Sequence, residues 1–236
     1  MYPPGIENLL RIYWLFAVIM LTLALIALLV GIVKWRKGDN SRTTLLIVLY
    51  LLALLFQGFL SMSLAYWGHV NGDHSIDALS GNIFMIVEFL IFNILFFNMV
   101  RSPKARTVIK CFVILFPIIC IIYWTRTAEL TKDFYTLSVL EIFYLISICL
   151  VYFYELFSQP PTRTLTKEKD FWIATGTLFY LVCSVPSFLI LQFISAAELY
   201  FFETIQSISL LVSGCLNLFF IKALLCKTKQ ETLSPL

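Results

Sequence analysis

Polar chemistry is scarce in this chain. Only 13% of its 236 residues are charged. Histidine occurs twice, at His69 and His74, both within GHVNGDHSID. A zinc centre needs three or four convergent ligands, so neither a three-histidine hydrolase nor a closed structural site follows from that loop, even with Asp73 and Asp77 beside it. The cysteines, Cys111, Cys120, Cys149, Cys183, Cys215 and Cys226, form no C-x-x-C pair and lie in or at the ends of apolar stretches. That pattern excludes a disulfide framework and a thiolate metal site. There is no G-x-S-x-G, no Ser/His/Asp arrangement and no glycine loop that could cradle phosphate. A retinal protein needs a lysine midway along its last helix, and here that region reads Ser213 to Asn217, with Lys222 near the end. The net charge of +3 is spread over short segments without an aromatic-interleaved basic face, so nucleic acid is not an expected partner. No cofactor is expected either.

What is abundant is apolar surface. Hydrophobic residues make up 60% of the chain and the mean hydropathy is +0.90, which marks an integral membrane protein with the lipid bilayer as its first partner. Seven stretches, 9–33, 44–66, 83–100, 108–124, 134–157, 171–194 and 204–225, each approach the ~20 residues that a helix needs to cross the hydrocarbon core. The expected fold is all-α, a seven-helix transmembrane bundle running up and down, as a single domain over 1–236. The first stretch is longer than a signal-peptide core and ends in Lys34-Trp35-Arg36-Lys37, which reads as a retained span.

Two further patterns agree with those boundaries. All five tryptophans, Trp14, Trp35, Trp67, Trp124 and Trp172, fall within a few residues of a span end, where indole rings favour the headgroup region. Fourteen basic residues belong to one side (Lys34, Arg36, Lys37, Arg42, Arg101, Lys104, Arg106, Lys110, Arg163, Lys167, Lys169, Lys222, Lys227 and Lys229) and three to the other (Arg11, Arg126 and Lys132). The expected orientation is N-terminus out and C-terminus in, in the cytoplasmic membrane. The ten residues after Cys226 leave no room for an effector domain within this chain, so signalling would pass to a separate cytoplasmic or membrane partner. Pro117 and Pro186 lie inside spans, where each frees a carbonyl and is expected to bend its helix.

The residues that stand out are polar groups at membrane depth. In 134–157, Ser138, Glu141, Tyr144, Ile148, Tyr152 and Glu155 follow at steps of three or four and share one helix face. A carboxyl group at that depth is costly and turns toward protein or a watery cavity. Glu88 lies six residues past Asn82, about 9 Å along the axis, a depth similar to that of Glu141. Glu203 stands at the mouth of the last span. Gln206, Ser209, Ser213 and Asn217 form a stripe on that helix, and Tyr50, Gln57 and Ser61 another on the second. The expected pocket opens outward and is built from Glu88, Glu141, Tyr144, Gln206, Gln57, Ser213 and Asn217. For the amides and hydroxyls, simple interhelical hydrogen bonding is the competing reading.

The phrase Asp170-Phe171-Trp172-Ile173 with Gly176 and Tyr180, and Glu88-Phe89-Leu90 ahead of a Phe-rich run, resemble bacterial seven-helix membrane modules that occur alone or joined to histidine kinases as sensory input. The resemblance implies a sensor. The residues themselves favour reception of a small cationic or polar ligand. A transporter or proton/cation channel is the alternative, requiring polar groups to continue inward past Asn217, Asn93, Asn98 and Glu155. An intramembrane lipid-modifying enzyme using Glu88 and Glu141 is the third reading, and a non-enzymatic role is preferred to it.

Overall fold

In a computed structural model of the chain, residues 6–39, 41–71, 75–127, 135–158, 164–191 and 199–226 are described, without the side chains of 6–10, 65–71, 75–78, 127 and 199–203. The loop with His69, His74, Asp73 and Asp77, the side chain of Glu203, and the segment after Cys226 thus lie outside the described side chains.

Among the described residues the regular structure is all helical: α1 (Ile6–Arg36), α2 (Arg42–Asn71), α3 (Ser75–Met99), α4 (Pro103–Thr127), α5 (Tyr135–Ser158), α6 (Lys169–Leu191) and α7 (Leu199–Leu225), with one 3-10 turn, Leu165–Lys167, before α6. All seven α-helices are long and apolar enough to cross a membrane. Most extend past the apolar stretches by a turn or so, because helical hydrogen bonding continues into the interface. In α4 the basic side chains of that extra turn fold back, with Arg106 and Lys110 over the Phe97 ring at 5.5 and 5.4 Å.

Local chemistry fixes the helix ends. Gly38 stops α1 at φ +101°, and its N–H bonds Trp35 O at 3.1 Å while that of Asp39 bonds Lys34 O at 3.3 Å. Those paired bonds satisfy the last carbonyls of the helix, and the positive φ favours glycine at the turn. Ser41 then caps α2, its Oγ accepting from Thr44 N at 3.3 Å. Ser102 caps α4 by accepting from Ala105 N at 3.4 Å, with Pro103 at the first helical position, where a missing N–H costs nothing.

Six helices form a ring in the order α1, α2, α3, α5, α6, α7, closed by α7 against α1, while α4 packs outside it on α3 and α5. Burial reflects this: 17% of the α4 span is buried against 33–39% for the others. The α1–α7 seam is made of small residues. Ala24, Ala27 and Ala223 are fully buried, and a Cβ on Gly31 would sit 3.5 Å from Leu224 and 2.8 Å from Val48. Without water to drive them together, membrane helices associate through such close approach. On α6, Gly176 does the same for α7, where an added Cβ would lie 2.4 Å from the Phe219 Cβ.

Two polar joints tie one end of the bundle. The Asp39 carboxylate lies 3.3 Å from Lys169 Nζ and 3.7 Å from Lys34 Nζ and accepts from the Thr44 hydroxyl at 2.8 Å. Lys169 also donates to Thr44, and Lys34 to the Cys226 carbonyl, so α1, α2, α6 and α7 meet there. The Glu155 carboxylate accepts from Arg101 N and Ser102 N at 2.6 and 2.9 Å, fastening the α3–α4 turn to α5.

Candidate functional site

The opposite end of the bundle holds a cavity of about 250 Å³ among α3, α5, α6 and α7. Helix phase puts its polar lining there. On α3, Asn82, Met85 and Glu88 follow at intervals of three. On α5, Ser138, Glu141 and Leu145 descend at three and four, and α6 contributes Tyr180 and α7 Gln206. Glu88 and Glu141 therefore share one cavity.

Their situations differ. Glu88 is half-buried and accepts from the Tyr50 hydroxyl through Oε1 at 3.0 Å. The Tyr180 hydroxyl stands close to Glu88 and to Ser213. Glu141 is 5% exposed, and its Oε1 has no hydrogen-bond partner. It lines the same cavity as Glu88. A buried acceptor left unmade is costly, on the order of 1–3 kcal/mol for an uncharged group and more for a charged one. The cavity thus contains one satisfied carboxyl group and one that is free to accept.

Of the residues expected in the pocket, Glu88, Glu141 and Gln206 line the cavity. Ser213 does not line it and lies near Tyr180, which does. Gln57 on α2 is not among the lining residues and instead donates to Ser80 at 3.2 Å. Tyr144 lies elsewhere: its hydroxyl donates to Asn93 Oδ1 at 2.8 Å, and its ring stacks on Phe112 with centroids 4.2 Å apart, joining α5 to α3 and α4. Asn93 is completed by donating to Phe89 O at 2.8 Å. Asn217 is fully buried, and neither its amide nitrogen nor its oxygen has a partner. The α6–α7 register, set by Tyr180 with Ser213 and by Lys222 over Trp172 at 5.7 Å, brings Asn217 level with Thr177, whose hydroxyl is likewise buried and unpartnered.

Tyr180 is the site residue that no polar stripe selects, while Tyr50 stands in the stripe of the second span but outside the expected pocket. The signal for Tyr180 is its spacing: Ile173, Thr177, Tyr180, Ser184 and Ser187 follow at steps of three and four along α6, and all but half-buried Tyr180 are buried. Among the described residues no group of three or more His, Cys, Asp or Glu is placed to hold a metal ion. Compared with protein-family models, curated proteins and solved structures, the chain matches none.

Proposed function

We propose that this multi-pass membrane protein is a receptor or sensor that takes a small polar ligand into the cavity between α3, α5, α6 and α7. The observation that carries the reading is Glu141, a cavity-lining carboxyl group whose buried Oε1 has no hydrogen-bond partner, beside a space large enough for a small molecule. Such an arrangement is destabilising until something donates to it.

The interior supports reception over transport. One turn below the cavity, Thr177 and Asn217 are polar, but the next level toward Thr44 and Lys169 holds Ile47, Leu51, Ile173, Phe220 and Ala223, all fully buried. Asn93 and Glu155, two of the groups that a path would need, are engaged with Tyr144, Phe89 O and the Arg101–Ser102 backbone. A polar route across the bundle is therefore interrupted. The orientation that fits a sensor of the cytoplasmic membrane has the cavity end outside, with the ordered joint at Asp39 and the Glu155-fastened turn available to a signalling partner inside.

The test is a comparison of binding with flux. Purified protein in nanodiscs should show saturable binding of a small polar solute, and proteoliposomes should show no flux of that solute. Flux that saturates with the same concentration dependence would replace reception by transport.

A further inference from the structure

The cavity has aromatic sides as well as an acidic floor. Phe84 of α3 flanks it, and Tyr135 of α5 and Phe188 of α6 stand together with ring centroids 6.4 Å apart. Glu88 and Glu141 lie deeper, and among the described residues no Lys or Arg lines the space.

Each ligand class meets that wall differently. An anion would face two carboxyl groups with no counter-charge. An apolar molecule would fill the space yet leave Glu141 Oε1 unsatisfied. A bare inorganic cation asks for several converging oxygens, whereas Glu88 Oε1 already accepts from Tyr50 and the cavity offers beside it chiefly Glu141 and the Gln206 amide. An organic cation satisfies all of the walls at once. Its N–H can donate to Glu141, its charge lies against ring faces that attract positive charge, and its carbon skeleton covers Phe84 and Phe188. A volume of about 250 Å³ is below the usual range of drug-sized pockets and limits the skeleton to a few carbons.

We propose that the cavity binds a small organic ammonium ion bearing at least one N–H, held by the free oxygen of Glu141 within the aromatic wall of Phe84, Tyr135 and Phe188. This assignment rests on the receptor reading in that both require the cavity to admit a ligand. The N–H requirement follows from the unsatisfied Glu141 carboxyl group, to which a quaternary ammonium could not donate.

The experiment uses the full chain in nanodiscs, with calorimetric titration and thermal unfolding against four probes: ethylammonium, tetramethylammonium, acetamide and potassium chloride. Two variants accompany the wild type. Glu141→Gln keeps shape but removes the charge. Gly81→Phe narrows the mouth, since Gly81 lines the cavity and a Cβ there meets nothing within 4 Å. Ethylammonium should bind with saturation and raise the unfolding temperature. Its affinity should fall about 10- to 100-fold in Glu141→Gln, as expected for loss of a charged hydrogen bond, and vanish in Gly81→Phe. Tetramethylammonium binding as well as ethylammonium, or potassium matching it, would overturn the assignment. Acetamide binding that Gly81→Phe blocks, with no ethylammonium binding, would overturn the ammonium class and leave the receptor cavity standing. If no probe binds the wild type, both readings fall. The wild-type series decides among these outcomes even if a variant does not fold.

Discussion

At the scale of single residues, Asp39 is the clearest charge in the molecule. Burial opposes its ionisation, but the Thr44 hydroxyl, the Lys169 ammonium and Ser41 together outweigh burial and hold its carboxyl below the ordinary value. A carboxyl whose folded pKa is depressed contributes stability above its unfolded pKa, about 4, and loses it as pH falls through the folded value. Unfolding temperature in detergent should therefore show no Asp39-dependent loss from pH 8 to 5 and a decline below about 4 that Asp39→Asn lacks. Asp39→Ala should cost about 3 kcal/mol at neutral pH by leaving Lys169 buried without its partner, and a denaturant titration in mild detergent reads that loss directly. Nothing local in the sequence marks Asp39 as buried, because its burial depends on α6 docking from 130 residues away. Glu141, Glu88 and Gln206 were legible because a polar residue is conspicuous in an apolar helix. Tyr50 and Tyr180 were less so in a chain with eleven tyrosines, many placed where an interfacial ring would do.

At the scale of helices, the spans were legible from continuous hydrophobicity, since the bilayer's thickness leaves little choice of length. Lateral order was not. Hydropathy does not say which helix neighbours which, and the exclusion of α4 from the ring shows only in the exposure of Ile114, Leu115, Ile118, Ile119, Ile121 and Ile122. Pro117 and Pro186 remain inside continuous helices, α4 and α6. Close approach likewise depends on partners. Gly176→Ala should destabilise by about 1–3 kcal/mol, because its Cβ would meet the Phe219 Cβ, which cannot swing away. Gly58→Ala should be near neutral, because the atom it meets is the tip of Leu21, at 2.5 Å, and a flexible end can move. Paired unfolding curves of the two variants check this: equal losses would contradict the close α6–α7 contact.

For the molecule as a whole, the basic residues gather at one end. Among the described residues, Lys34, Arg36, Lys37, Arg42, Arg101, Lys104, Arg106, Lys110, Lys167, Lys169 and Lys222 lie at or near the Asp39 end, against Arg11 and Arg126 at the cavity end. A reporter fused after Cys226 should be active only in the cytoplasm and one inserted after Gly72 only outside; the reverse pattern would turn the cavity inward. The ring also has a consequence in time. Its closing seam joins α1 to α7, and Lys34 meets the Cys226 carbonyl across 192 residues of chain. At about 5–20 residues per second of synthesis, roughly 10 to 40 s pass between the emergence of one edge and the other. Throughout that interval the side of α1 that packs on α7 lacks its partner, and the cavity still lacks its Gln206 wall. Closure of the ring thus waits for α7, and until it arrives the cavity is open on one side.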